Sequence, residues 1–238
     1  MKFDVFMVAY REPNAAENWA RLRAIAPEAQ RIDNVPGIAA AYRACAARSR
    51  TPHYFAVDAD NWMRDGFRFE VPFEPAADEI ALWFAENPIN GLRYAHGAIK
   101  LIPTAFMKAA VADGHVDFTT SVTRNRYLDI CASEHRFNAD PYSTWAGAFR
   151  ECVKLVVSTT IGVERSRAIA RHRLSIWCTK GAEAKFGEWC LRGAREGRLY
   201  GRQHARDFDG IQRINDFDWL HQRFRARHVR KIAIPPRA

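Results

Sequence analysis

The chain has 238 residues, a length typical of one domain, with or without a helical extension. Hydrophobic residues make up 48% of it and aromatic residues 12%, which excludes a disordered chain. No apolar run approaches the roughly 18 residues that span a bilayer, and the first residues lack a signal peptide's pattern, so we expect a cytoplasmic protein. The formal charge of +9 favours an anionic partner such as a nucleotide, a nucleic acid or a lipid surface.

The cysteines indicate the redox state of the protein, and the basic residues are unevenly distributed along the chain. The five cysteines are scattered without a C-x-x-C pair, which indicates reduced thiols and not a disulfide framework. Much of the basic excess lies late, in residues 192–206 and 223–231. A solvated helical face explains such runs as well as an anionic partner does.

The first part of the chain alternates between strand and helix patterns. In chain order we predict a strand over 2–9, a helix over 14–26, a strand over 30–33, a helix over 38–50 and a strand over 53–57. The strands are apolar runs that alternate little, a pattern typical of strands buried on both faces. Strand–helix–strand repetition predicts a parallel sheet with right-handed crossovers.

The rest of the chain has further strand patterns up to residue 137 and helix patterns after it. Residues 66–80 lack periodicity and are predicted to be a loop or an edge segment. Strands are then predicted over 80–84, 92–102 and 127–137, and helices over 104–113, 142–160, 164–178, 183–197 and 216–226. A basic loop, within 198–215, separates the last two helices. Because no linker is visible, we expect the helical part 141–238 to pack on a core formed by 1–140 as one structural domain.

The most informative motif is Asp58-Ala59-Asp60, which directly follows the apolar run 53–57. Two carboxylates one residue apart supply the oxygen ligands that Mg²⁺ and Mn²⁺ prefer, with a diphosphate completing the shell. In open α/β sheets, ligands bind just outside the carboxyl ends of the strands, where this pair would lie. Asp-x-Asp alone is weak evidence for a metal site, because many strands end in a polar turn.

The surrounding residues strengthen the motif. Gly37 opens a helix of small residues, which leads through the aromatic-containing strand 53–57 to Asp58-Ala59-Asp60, and this stretch resembles the nucleotide-sugar half of GT-A-fold glycosyltransferases. The resemblance covers residues 3–65 well and 85–150 loosely, and in places it is similar to small phage-encoded members. It implies an α/β fold with a GT-A-like mixed, mainly parallel sheet flanked by helices, and with a helical C-terminal extension.

The resemblance also implies an activity and a set of roles. We expect a glycosyltransferase that uses Mn²⁺ or Mg²⁺ to move a sugar from a nucleoside diphosphate, UDP favoured, to a hydroxyl acceptor; a hydroxylated base in DNA is one candidate. The host cytoplasm would be its location if it is phage-encoded. The implied metal ligands are Asp58, Asp60 and, from the basic loop, His204. The implied donor-binding residues are Ala9, Tyr10, Arg11, Asp33, Arg43, Asp58, Asp60, His96 and Gly97. The candidate general bases are Asp140 and, second, Asp117.

Each role has a structural alternative. Asp140 is a good helix N-cap, and Pro141 after it is a favourable first helical residue. Asp33 can cap a turn, and His96 can be merely structural.

Two other functions of the protein also remain open. A nucleotidyltransferase could use the same acidic pair but usually has a Gly-rich loop after its first strand. A nucleic-acid-binding or virion-associated protein with a degenerate GT-A fold would suit the charge. Inversion or retention, the sugar, the acceptor and the oligomeric state stay undetermined.

Overall fold

The computed structural model describes residues 2–96, 99–109 and 124–229. The chain divides into two compact units, Met1–Ala139 and Asp140–Ala238. The described part of the first unit combines a sheet with helices, and that of the second is helical. No helix within the described ranges is long and apolar enough to cross a membrane.

The first unit is built on one eight-stranded sheet. Its strands are β1 (Asp4–Ala9), β2 (Gln30–Asp33), β3 (His53–Asp58), β4 (Asn61–Met63), β5 (Glu79–Glu86), β6 (Arg93–Tyr94), β7 (Lys100–Pro103) and β8 (Arg124–His135). Its helices are α1 (Ala15–Ile25), α2 (Ile38–Arg48) and α3 (Thr104–Ala109). The strand order is β2-β1-β3-β7-β5-β8-β4, with β6 paired to β5.

The sheet is mixed. β1 pairs in parallel with β2 and β3, as the strand–helix alternation predicted, and β5 pairs in parallel with β8. β7 runs antiparallel to both β3 and β5, and β4 and β6 also pair antiparallel to their neighbours. The α/β class, the mixed sheet, the flanking helices and the helical C-terminal part are therefore confirmed. The expectation of a mainly parallel sheet is wrong, because four of the seven described pairings are antiparallel, and beyond the first three strands the parallel pairing described is that of β5 with β8.

The central strand β3 is buried on both faces. Phe55 and Val57 belong to one hydrophobic cluster, whereas Tyr54 and Ala56 belong to another, to which Tyr42 of α2 contributes. A strand that contributes to two clusters needs apolar residues at every position, which is why its sequence does not alternate. The carboxyl end of β3 is consequently held in the middle of the sheet.

The second unit contains five α-helices within the described residues. They are α4 (Pro141–Ile161), α5 (Glu164–Thr179), α6 (Gly187–His204), α7 (Phe208–Gln212) and α8 (Phe217–His228), with a 3-10 helix at Arg213–Asn215. Helices α4 and α6 approach each other closely. A Cβ atom added at Gly193 would lie 2.2 Å from the carbonyl oxygen of Trp145, and one added at Gly197 would lie 2.3 Å from that of Phe149.

Two element predictions differ from the structure. The strand predicted over 92–102 is two strands, β6 and β7, with residues 97–98 outside the described ranges. The basic loop predicted within 198–215 is mostly helical, because α6 continues to His204 and α7 follows. Glycines lower helix propensity, but the glycine face of α6 packs on α4, and such packing stabilises a helix more than propensity does. The helix predicted over 104–113 is present over Thr104–Ala109, and the remaining residues of that prediction lie outside the described ranges.

Candidate functional site

The Asp58-Ala59-Asp60 segment is fixed to its neighbours by main-chain hydrogen bonds. The Ala59 N–H donates to the carbonyl oxygen of Val8 at 3.0 Å, and the Asn18 side-chain amide of α1 donates to the carbonyl oxygen of Ala59 at 2.8 Å. Asn18 is fully buried. The backbone between the two aspartates is therefore anchored to β1 and to α1. Their carboxylates are preorganised at the carboxyl end of β3.

Asp58 forms an ion pair with a lysine from the neighbouring strand. The Lys100 ammonium donates to Asp58 Oδ2 at 3.0 Å, and the Tyr42 hydroxyl lies 3.3 Å from Asp58 Oδ1. The side chains of Lys100 and Asp58 are 9% and 22% exposed. Burial raises the pKa of Asp58, and the positive charge of Lys100 opposes that shift. Lys100 thus favours the ionised form of this carboxylate.

Asp60 begins a chain of contacts through two histidines. Asp60 Oδ2 lies 2.8 Å from His135 Nε2, and His135 Nδ1 lies 2.9 Å from His96 Nδ1. A neutral His135 satisfies both contacts if its Nε2–H donates to Asp60 and its Nδ1 accepts from His96. Burial raises the pKa of Asp60, but the interactions with His135, a main-chain N–H and Lys100 together outweigh burial, and this pKa lies below its ordinary value.

A buried amide orients Asp60 from its other side. Asn61 Nδ2 lies 3.2 Å from Asp60 Oδ1, and Asn61 Oδ1 accepts a 2.6 Å hydrogen bond from the Ser133 hydroxyl. Asn61 and Ser133 are both fully buried. The pairing of β4 with β8 brings these residues together, since it sets Asn61 opposite His135 and Met63 opposite Ser133. The carboxylate of Asp60 is therefore held by groups on two strands.

Glu12 is a third acidic residue of this cluster. It follows β1, and its Oε2 accepts a 2.7 Å hydrogen bond from the Tyr10 N–H. Burial raises the pKa of Glu12, and the charge of Asp60, with a smaller effect from Asp58, raises it further. Three carboxylates thus influence one another, with Lys100 and His135 as their cationic or hydrogen-bonding partners. We call Glu12, Asp58, Asp60, Lys100 and His135 the carboxylate cluster.

The predicted donor-binding residues of β1 and β2 lie next to each other. Ala9 is paired with Asp33 in the sheet, and the Asn34 N–H donates to the Ala9 carbonyl at 2.9 Å. The Arg11 guanidinium lies over the Tyr10 ring, 4.9 Å from its centroid. Asp33 is exposed and accepts hydrogen bonds from Arg31, the closer at 2.6 Å. The sheet thus brings together Ala9 and Asp33, two of the residues that the resemblance implied for donor binding.

Other predicted site residues have structural partners or lie elsewhere. On α2, Tyr42 and not its neighbour Arg43 contacts Asp58. His96 is buried and contacts His135. His204 is the last residue of α6 in the second unit, and its Nδ1 lies 2.8 Å from Asp207 Oδ2. Gly97 and Asp117 lie outside the described residues.

Asp140 caps helix α4, as its position before a proline suggested. Its Oδ1 accepts the Ser143 N–H and its Oδ2 accepts the Ser143 hydroxyl, both at 2.8 Å. A carboxylate has about four acceptor positions, so these bonds leave capacity for another donor. Its role as a general base stays a prediction.

The two roles of Asp140 are separable by substitution. Asp140→Ala should lower the free energy of unfolding by about 1 kcal/mol, because the helix loses its cap, whereas Asp140→Asn keeps an acceptor oxygen and should cost almost nothing. Urea denaturation measures both effects. If Asp140 is the base, Asp140→Asn is as inactive as Asp140→Ala despite its stability. Turnover by Asp140→Asn at the wild-type rate would contradict that role.

The donor set of the carboxylate cluster is compatible with a hard divalent cation. Among the described residues, no group of three or more His, Cys, Asp or Glu side chains could hold a metal by itself. Mg²⁺ and Mn²⁺ that carry a diphosphate need only one or two carboxylates, because phosphate and water supply the other oxygens. Asp58 and Asp60 meet this requirement, and the repulsion among the acidic side chains favours an additional positive charge.

Sequence reasoning missed four members or neighbours of the cluster: Glu12, Tyr42, Lys100 and His135. Glu12 had a usable signal, since it is an acidic residue just after a predicted parallel strand. Lys100 and His135 had none, because each contact depends on which strands are neighbours. Lys100 lies opposite Ala56 on the adjacent strand, and therefore on the same face as Asp58 two residues later.

In comparisons with protein-family models and with the sequences of curated proteins, the chain matched none.

Proposed function

We propose that this protein is a metal-dependent glycosyltransferase that takes a sugar from a nucleoside diphosphate. The carrying observation is the carboxylate cluster at the carboxyl end of β3, where Asp58 and Asp60 are anchored in the middle of a mixed sheet. The strand order gives further support, since a parallel β2-β1-β3 half meets an antiparallel β7 beside this cluster. A GT-A-like sheet would have such an arrangement.

Four of the five residues of the carboxylate cluster have a chemical task in this proposal. Asp58 and Asp60 would hold Mn²⁺ or Mg²⁺, which when bound neutralises the negative charge that develops on the leaving diphosphate. Lys100 favours the ionised form of Asp58 and adds a fixed positive charge beside it. Asn61 and His135 hold the Asp60 carboxylate in one orientation, which avoids reorganisation during the reaction.

The neighbouring end of β1 and β2 suits the nucleoside. Tyr10, with Arg11 over its ring, offers a surface for stacking, and the paired Ala9 and Asp33 offer main-chain and carboxylate groups to the edge of a base. An acidic acceptor of this kind favours the imide N–H of uracil. A UDP-sugar is therefore the preferred donor in this proposal.

The test is release of nucleoside diphosphate from a panel of UDP- and GDP-sugars in the presence of Mn²⁺. We expect turnover, including slow hydrolysis to water, that falls about 100-fold or more in Asp58→Asn and Asp60→Asn, since each removes a group that stabilises developing charge. Asp78→Asn is the matched control, because Asp78 is an exposed residue paired with Arg124 and lies outside the cluster. Its turnover should equal that of the wild type.

Two further readouts separate the alternatives. Thermal stabilisation by UDP should require Mn²⁺ and disappear in Asp60→Asn. A nucleotidyltransferase would instead release pyrophosphate from UTP and a sugar 1-phosphate. Absence of diphosphate release with every donor, together with absence of Mn²⁺-dependent UDP binding, would overturn the proposal.

A further inference from the structure

The positive charge of the protein is confined to one of its two units. Residues 140–238 contain 20 Lys and Arg against 10 Asp and Glu, a formal charge of +10, whereas residues 1–139 contain 16 against 17. The sheet-containing unit with the carboxylate cluster is therefore nearly neutral. Such asymmetry between two parts of a chain is typical of proteins with a polyanionic partner, and here it assigns that partner to the helical unit.

Within this unit, a pocket of about 440 Å³ is lined by aromatic and basic side chains. Tyr200 and His204 come from α6, Arg213 from the 3-10 helix, and Trp219 and Arg223 from α8. The rings of Tyr200 and Trp219 are 5.4 Å apart between centroids. The pocket thus combines flat apolar walls with cationic groups, and it is distinct from the carboxylate cluster in sequence and in chemistry.

Arg223 is the central cation of this pocket. Its guanidinium lies 5.0 Å from the Tyr200 ring centroid and 5.3 Å from those of Trp219 and Phe149. Among the described residues, its buried Nε has no hydrogen-bond partner and its guanidinium forms no ion pair. The charge of Glu196 acts on Arg223 from beyond ion-pair distance, so the guanidinium keeps its hydrogen-bonding capacity for a ligand. Stacking on guanidinium planes is a common way to bind a nucleobase.

The neighbouring arginines also form no ion pairs among the described residues, although the charge of Arg213 acts on Asp207. Arg202, Arg206 and Arg213 are exposed, and none of them forms an ion pair within the described parts of the chain. By contrast, Arg171 is paired with Glu164, and Arg192 with Glu188. Of the acidic groups at the pocket, Asp207 is already engaged by His204 and by the Gly210 N–H, and Asp209 is exposed. The arginines without ion pairs therefore lie in the same segment, residues 200–223, that contributes Tyr200 and Trp219 to the pocket.

We propose that residues 200–223 form a binding site for single-stranded nucleic acid, in which a base stacks on Trp219 and Arg223 while the nearby arginines contact phosphates. Aromatic stacking beside a basic path along the backbone is the usual solution for single strands, and it requires unstacked bases that a duplex does not offer. This inference does not depend on the proposed transfer reaction, because it concerns residues of the other unit and is measured by binding alone.

The test is fluorescence polarisation of the 238-residue chain with a labelled oligothymidylate and with a duplex of the same length as that oligonucleotide. We expect tighter binding of the single strand, with an affinity that falls steeply between 50 and 200 mM salt, ~10-fold or more if several phosphates are contacted. Arg213→Gln/Arg223→Gln and, separately, Trp219→Ala should each weaken single-strand binding roughly tenfold. Circular dichroism checks that each variant is folded, and the exposed Arg213→Gln alone provides a variant that leaves the packing intact.

The matched control is Arg171→Gln/Arg192→Gln, which removes the same charge from the same unit at arginines that already have carboxylate partners. Its affinity should change less than twofold. An equal loss of single-strand affinity in the control and pocket variants, or tighter binding of the duplex, would overturn the proposal, because non-specific attraction by net charge would then explain the binding. Absence of oligonucleotide binding at 50 mM salt would overturn it as well, as would binding only to vesicles of anionic phospholipid.

Discussion

In Lys100→Met, the free energy of unfolding is expected to fall by about 3 kcal/mol at neutral pH. Methionine keeps the apolar stem of Lys100 but removes the ammonium that lies 3.0 Å from Asp58. Asp58 is then a largely buried carboxylate whose best cationic partner is gone, and burial already raises its pKa. The remaining Tyr42 hydroxyl, 3.3 Å away, cannot replace a charge.

The loss in Lys100→Met should depend on pH. Without Lys100, the pKa of Asp58 in the folded state rises further above its unfolded value, so the folded protein binds a proton more readily than the unfolded chain. A raised carboxyl pKa lowers stability as the pH rises through the range between the two values. The difference from the wild type should therefore shrink as the pH falls towards the ordinary pKa of aspartate, as urea denaturation at several pH values would show.

The double variant Asp58→Asn/Lys100→Met is the control for this explanation. It removes both members of the Asp58–Lys100 pair and should recover most of the stability, because a buried pair as a whole contributes little compared with the cost of a single unpaired member. If the double variant were as unstable as Lys100→Met, lost packing of the lysine stem and not the orphaned carboxylate would be the cause.

Gly197→Ala should lower the free energy of unfolding of the helical unit by about 2 kcal/mol, although alanine is the better helix former. The added methyl group would lie 2.3 Å from the carbonyl oxygen of Phe149 and 2.9 Å from its Cα, so helices α4 and α6 would have to separate. Backbone atoms cannot move aside as the end of a side chain can. The expected gain in helix propensity, ~1 kcal/mol, is smaller than the cost of this overpacking.

Thermal and urea denaturation followed by circular dichroism measure the effect of Gly197→Ala. Gly193→Ala should behave in the same way, since its methyl group would lie 2.2 Å from the Trp145 carbonyl oxygen. Arg192→Ala, at an exposed position of α6, should change stability by no more than about 0.5 kcal/mol. A Gly197→Ala variant as stable as the wild type would contradict a tight contact between α4 and α6 at this position.

Local patterns predicted the first half of the sheet well. The unbroken apolar run of β3 needs burial on both faces, whatever its neighbours are, and Asp58 and Asp60 must then follow at its carboxyl end. The cap of α4 was equally predictable, because Asp140 and Ser143 interact within one helical turn. Both conclusions depend on residues that are close in sequence.

Predictions failed where distant contacts decide the outcome. The split of the predicted strand 92–102 was not visible from composition, and the helical continuation of α6 to His204 depends on its glycines meeting α4. Basic, Gly-containing sequence predicts a loop when it is considered alone. The close packing of two helices reverses that prediction, since burial compensates for weak helix propensity.

The amino-acid sequence by itself determined an α/β protein with an acidic pair at the end of a buried strand and a basic, helical C-terminal part. Only the tertiary structure decided which groups accompany that pair. Lys100 reaches Asp58 because β7 is antiparallel to β3, and His135 reaches Asp60 because β8 is paired with β4. Short-range preferences act within a few residues, whereas the order and register of strands depend on the burial of the whole sheet, which no single segment specifies.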